Sequence, residues 1–190
     1  NVLAVPGMTK EALTNYQMEL CEERRDALAL IDLPNVYTPF SEQTSKTTTE
    51  EQRANRDVSG IVTALEQRRI DTSYACTFYP WVQTRDSNNG QILWVPPSVA
   101  MMGVFGSTQK KADVWYSPAG FNRGNLTENA AGIPILNAAS RLSQAERDML
   151  YDAHINPIAT FPANNSQRVV VFGQKTLQQD QSALDRVNVR

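Results

Sequence analysis

The sequence predicts an α/β fold, a mixed β-sheet flanked by helices with one β-hairpin, and three observations carry that prediction. Short apolar runs alternate with segments of helical period through the first half of the chain. Residues 27–33 (ALALIDL) are almost continuously apolar, the pattern of a strand covered on both faces. Asn89-Gly90 divides two β-rich runs and is a hairpin turn signal. A chain of 190 residues, 41% hydrophobic and 20% charged, is long enough and apolar enough for one domain with a substantial core.

Asn1 to Val5 reads as a strand closed by Pro6-Gly7, after which Thr9 is placed to cap a helix. The apolar face of that helix is Leu13, Tyr16 and Leu20, and it ends near Arg24-Arg25. The strand at 27–33 follows and stops at Pro34, so strand, helix and strand make a parallel crossover. Residues 37–46 are polar and aperiodic and run into Thr47-Thr48-Thr49, which predicts a solvated, mobile loop over 38–49. Thr48 with Glu51 has capping-box spacing, and Val58, Ile61, Val62 and Leu65 recur at helical spacing up to Arg68-Arg69.

Ser73 to Thr84 is aromatic and β-branched, with Pro80 marking a bulge or an edge, and pairs with Gln91 to Val95 across the Asn89-Gly90 turn. Beyond Pro96-Pro97, Ser98 is placed to cap a helix through Met101, Met102 and Phe105, in which Gly103 and Gly106 allow another element close. Prolines and glycines make 117–132 a loop region. Ser143 with Glu146 is a second capping box, opening a helix with Ala145, Met149, Leu150 and Ala153 as its buried positions. Val169 to Phe172 is a buried strand ended by Gly173, and the tail from Leu177 is polar.

Composition and spacing exclude several functions. The net charge is -2 with cations scattered among anions, so no basic stripe is available to neutralise nucleic-acid phosphates. The most apolar stretch, Ile92 to Phe105, is broken by Pro96-Pro97 and falls short of the ~20 residues that span a bilayer. Cys21 and Cys76 both lie in apolar segments and read as buried reduced thiols. A hydrolase triad needs a histidine with a carboxylate and a nucleophile, and His154 is the single histidine, with no Gly-x-Ser-x-Gly elbow beside it. Cys21, Cys76 and His154 are too far apart for local zinc spacing.

The Gly103 to Thr108 run lacks the lysine of a phosphate loop, and no Gly-x-Gly-x-x-Gly follows the first strand. Asp32 is the most tempting carboxylate because it sits at the carboxyl end of a parallel strand, where open α/β sheets bind ligands. The plainer reading is that Asp32 precedes the turn at Pro34. Glu22-Glu23-Arg24-Arg25-Asp26 reads as a solvated helix end with local ion pairs. No catalytic, cofactor-binding or metal residue is assigned. The competing reading is an α/β enzyme or small-ligand-binding domain that uses the Asp32 strand end and His154.

An ordered series of segments resembles the contractile tail sheath proteins of myovirus tails and related contraction machines. In order they are VLAVPG (2–7), CEERRDALALIDLP (21–34), SYACTFYPWV (73–82), VPPSVAMMGVFGST (95–108), VWYSPAGFNRG (114–124), INPIATFP (155–162), VVVFGQKTL (169–177) and LDRVNVR (184–190). Gln109 stands where the family commonly has an acid, His154 where it often has a small residue or Gly, and the 38–49 loop is particular to this branch of the family.

The resemblance implies a structural subunit, not an enzyme, with no cofactor. Such subunits form six-membered rings stacked helically around a tail tube above a baseplate, and their contraction drives the tube through a host envelope. It further implies a virion component assembled in the host cytoplasm, and makes residues 1–190 the core of a longer multidomain chain whose terminal arms lie elsewhere. On this reading the core alone is monomeric in dilute solution. Limited proteolysis is expected to cut first between Tyr37 and Thr49, as the polar aperiodic composition there dictates; first cleavage within one of the helical segments would contradict that composition-based expectation.

Overall fold

The computed structural model describes residues 1–34, 58–113, 115–163 and 166–180; the 38–49 loop, the Thr48–Glu51 capping box and the 184–190 segment lie outside them. In chain order the described elements are β1 (Val2–Ala4), α1 (Glu11–Arg24), β2 (Leu28–Asp32), α2 (Val58–Gln67), β3 (Ala75–Tyr79), β4 (Val82–Arg85), β5 (Ile92–Val95) and α3 (Pro97–Lys111). A 3-10 turn (Leu126–Glu128) follows, then β6 (Ile135–Ala138), α4 (Gln144–Asp152), β7 (Asn156–Ala163) and β8 (Ser166–Val171). Strands β1-β2-β3-β7-β8 form a mixed sheet, in which the first four are parallel and β8 runs antiparallel to β7. Strands β5-β4-β6 form a second, antiparallel sheet that contains the expected hairpin.

Alternation along the strands sends successive side chains to opposite faces of the larger sheet. Leu30, Cys76, Phe78 and Ile158 pack with Ala100, Met101, Val104 and Phe105 of α3. Ala29, Ile31, Ala75 and Tyr79 pack with Met18 and Cys21 of α1, Val62 and Leu65 of α2, and Leu150 of α4. Helices therefore cover both faces of β2 and β3, which is why their sequences are apolar without alternation. Cys21 and Cys76 belong to opposite faces, and both are buried free thiols.

Five local expectations are corrected. Helix α1 turns the other way: it buries Thr14, Gln17, Met18 and Cys21, while Leu13 is 48% and Tyr16 66% exposed. Gln17 is held inward because its Nε2 donates to the carbonyls of Leu3 (2.8 Å) and Leu30 (3.2 Å). Thr14 donates to the carbonyls of Lys10 and Glu11 and accepts from Arg68, which also donates to Asn15. An unpaired buried carbonyl costs about 1–3 kcal/mol, enough to decide which face of a short helix turns inward. Lys10, not Thr9, is the N-cap residue, and no side chain caps the helix.

Residues 73–84 are two strands of different sheets, β3 and β4, divided at the cis Tyr79-Pro80 peptide. Trp81, just past the division, donates its indole N–H to the carbonyl of Leu33 at 3.1 Å and accepts from the Ala139 N–H through its own carbonyl. Ser98 is not a cap, since α3 starts after Pro96 with Pro97 inside its first turn. The Ser143–Glu146 capping box closes in both directions, yet of the buried positions expected on α4 only Leu150 is buried; Ala145 and Met149 face outward. Strand β6 has no counterpart in the sequence reading, because four residues after Pro134 with Leu136 exposed carry little periodicity.

Gly103 permits the close approach anticipated for it. A Cβ there would lie 1.8 Å from the Ala131 carbonyl oxygen, whereas one at Gly106 meets nothing within 4 Å. Gly103→Ala is expected to destabilise the fold by about 1–3 kcal/mol. Gly106→Ala, on the exposed side of α3, is expected to stabilise it by about 0.5–1 kcal/mol. Urea denaturation of the two variants checks the opposite signs.

Candidate functional site

Asp32 ends β2, two residues before Pro34, on the side of the sheet that faces α3. Its Oδ2 accepts from the Gly7 N–H (3.0 Å) and the Ser98 hydroxyl (2.7 Å), and its Oδ1 accepts from the Ser98 N–H (3.1 Å). Gly7 reaches the carboxylate from the β1–α1 turn with φ 80°, a conformation that favours glycine. Ser98 lies in the first turn of α3, so the Asp32 carboxylate supplies from another strand the N-terminal acceptor that α3 lacks in its own sequence. Burial pushes this carboxyl above the usual range, opposed by the Ser98 hydroxyl and by the Gly7 and Ser98 N–H groups. All its donors come from the fold, and it is buried.

His154 sits just past α4 with φ 63°. The Ile155 N–H returns to the Leu150 carbonyl, so His154 fills the left-handed position where glycine is usual in a helix C-terminal motif. Its Nδ1 lies 3.2 Å from the Thr176 carbonyl; since a carbonyl only accepts, Nδ1 carries the proton. Burial, with a smaller contribution from Lys175, pushes the imidazole below its ordinary value against the opposing Thr176 bond and the Asp71 and Asp152 charges.

Asp32 and His154 do not form a site. Asp32 is in register with Phe78, and Phe78 with Asn156, so two strand spacings, about 10 Å, separate Asp32 from the start of β7. Their hydrogen-bond partners do not overlap. A cleft of about 300 Å³ is lined by Leu65, Glu66, Arg69, Asp71, Asp152 and Gln179 among others, and His154 does not line it. Asp71 there accepts from the Gln178 side chain and the Gln179 N–H, both at 2.8 Å. Among the described residues no three His, Cys, Asp or Glu side chains converge as metal ligands.

The other motifs resolve structurally. Gly103 and Gly106 lie inside α3, not in a loop before a helix, and Ser107 donates to the carbonyls of Val104 and Ala130. In the charge cluster, Arg24 forks onto Asp26 with bonds of 2.9 Å in solvent, and Arg25 closes α1 in the left-handed conformation. Among the described residues no helix is long and apolar enough to cross a membrane.

Two constellations escaped the sequence reading. Asn156, fully buried, donates Nδ2 to the carbonyls of Thr77 (3.0 Å) and Lys175 (2.8 Å) and accepts the Lys175 N–H at 2.7 Å, tying the segment after β8 to the sheet. Asn-Pro opening a strand was the available signal. Phe121, Phe161 and Phe172 stack with centroids 5.2 to 6.2 Å apart, and Arg147 lies over Phe161 at 5.3 Å. These phenylalanines are too far apart in sequence for any local pattern.

The chain is similar to three curated tail sheath proteins. It is 34% identical over 138 residues to that of Vibrio phage KVP40, covering 73% of this chain and 19% of the relative. To that of Enterobacteria phage T4 it is 33% identical over 121 residues, covering 64% and 17%. To that of Salmonella phage ViI it is 30% identical over 177 residues, covering 90% and 26%. The chain thus spans about a fifth to a quarter of the length of these relatives. No family model matches it. In fold it is similar to a chain of the anti-feeding prophage (AFP) baseplate, with TM-score 0.62, 18% identity and coverage of 97% of this chain and 40% of that one. It is similar too to the AFP helical sheath in its contracted state, with TM-score 0.59, 20% identity and coverage of 100% and 42%.

Asp32→Asn is expected to destabilise the fold by about 1–3 kcal/mol, because the amide NH2 must face either the Ser98 N–H or the pair formed by Gly7 N–H and Ser98 hydroxyl. Denaturant titration at neutral pH checks the loss. For His154 the sign follows from a lowered folded value: acidification below the ordinary histidine pKa of about 6.5 protonates the unfolded chain first, so stability present above that pH is lost as pH falls. His154→Asn, which tolerates the left-handed backbone, should flatten the fall in stability between pH 7 and 5; an unchanged slope would remove His154 as its source.

Proposed function

Because the chain belongs to the contractile tail sheath protein family, we propose that it is the folded core of a sheath subunit. In this reading residues 1–190 form one core domain of a structural protein. That protein polymerises as stacked hexameric rings around a tail tube, meets a baseplate, and contracts to drive the tube through a host envelope. It is a virion tail component assembled in the host cytoplasm. The observation that carries the reading is the 34% identity to a phage tail sheath protein across 73% of the chain. The likeness in fold to the contracted AFP sheath supports it.

The chemistry of the interior supports a role without turnover. The buried carboxylate, imidazole and carboxamide, Asp32, His154 and Asn156, each bond to backbone or side-chain partners that hold elements together. A subunit that must keep its shape while its neighbours move around it is served by such internal ties, because rigid-body rearrangement at interfaces leaves the cores intact. An enzymatic or ligand-binding role at Asp32 and His154 has no comparable support, since the two side chains neither converge nor open onto one cleft.

The test is immunogold electron microscopy of the virus or particle that carries this protein. Antibody against the chain is expected to label the tail along its length, with the labelled region shortening and widening on contraction. Label restricted to the head or to the tail tip would overturn the proposal.

A further inference from the structure

Two exposed surfaces of the molecule are chemically matched, one on the helix that covers the β1–β2 end of the larger sheet and one at its β8 end. The first is the outer side of α1, which packs beside β1 and β2. Leu13 and Tyr16 stand out at 48% and 66% exposure, and Glu19, Glu22 and Glu23 are exposed on the same helix. The Thr14 and Gln17 bonds that turn this helix fix the stripe outward. The second surface is at β8, the far edge strand. Phe121 and Phe172 are each 47% exposed and stack on Phe161, Arg147 lies over the Phe161 ring, and the exposed Arg168 pairs across the ladder with Phe161. One surface is apolar with acids, and the other is aromatic with guanidinium groups.

We propose that the outer face of α1 in one copy docks on the Phe121/Phe161/Phe172 patch of a second copy. The occupant is chosen by charge and by position. Glutamates on one face answer arginines on the other, and tyrosine with leucine answers three phenylalanines. Each surface is unlike itself, so neither suits a two-fold pairing in which the same patch meets its own copy. The strands at the two ends, β1 and β8, are separated by four strand spacings, on the order of 19 Å, across one sheet. A contact between two unlike surfaces is heterologous, and repeating it generates a ring or a helix instead of a closed dimer. The inference rests on the self-assembly reading above and adds to it which surfaces meet.

The test uses the protein with Tyr16→Cys and Phe121→Cys together, concentrated and mildly oxidised, read on a non-reducing gel. The native thiols are buried and serve as the internal control. A ladder of dimers, trimers and larger species is expected from the double variant, and monomer from each single variant. Dimers from a single variant, or monomer alone from the double, overturn the contact. Phe172→Cys in place of Phe121→Cys repeats the test if the first variant unfolds. Adding Arg147→Glu and Arg168→Glu should abolish the ladder, and further adding Glu19→Arg and Glu23→Arg should restore it. Light scattering of the unmodified protein at the concentration of the crosslinking run separates the two claims: association without a ladder, or no association at all, overturns this contact and leaves the sheath reading standing, which tail labelling tests on its own.

Discussion

The Asp32 carboxylate is the tie on which the rest of the arrangement depends. It stands at the end of β2 and fixes both the turn that launches α1 and the first turn of α3, elements that belong to opposite faces of the sheet. A buried carboxylate is unfavourable unless donors surround it, and here they come from a glycine turn and a helix N-terminus. Where those two converge, the apolar faces of β2 and β3 are sandwiched. Asn156 repeats the device at β7, holding the segment after β8 against Thr77. Packing density alone would tolerate small shifts of a helix over a sheet; these directional bonds select one placement.

The same economy decides which side chains of the described helices and strands face inward and which face out. Polar side chains of α1 face inward to satisfy strand carbonyls, which leaves its apolar residues facing out. At the other edge, backbone of the 120–124 loop bonds to both polar groups of Val171, so β8 does not present an open strand there. What remains exposed beside it is a cluster of rings and guanidinium groups.

The α/β class and most elements were legible because their signals are local. Apolar run length identified β2, the Asn89-Gly90 turn identified the β4–β5 hairpin, and the Ser143–Glu146 pair identified α4. Failures arose where a tertiary bond outweighed a local pattern. The helical period around Leu13, Tyr16 and Leu20 was real, but the Gln17 bonds to Leu3 and Leu30 overruled it, and no sequence window spans those partners. Ser98 has a capping residue's chemistry and uses it on Asp32, 66 positions away. The division at Tyr79-Pro80 was marked by a proline, yet which sheet each half joined depended on partners far along the chain. Asp32 and His154 are unusual in the sequence, but their partners, Gly7 and Ser98 for the one and Thr176 for the other, are invisible there.

The central claim is that function resides on the outside of a fixed core, and hydroxyl-radical footprinting of free against assembled protein tests it most directly. On assembly Tyr16, Phe121 and Phe172 should lose reactivity, while Cys21, Cys76 and His154, buried by the fold itself, stay unreactive in both states. Unchanged labelling of the three aromatic residues, or newly reactive cysteines on assembly, would contradict it.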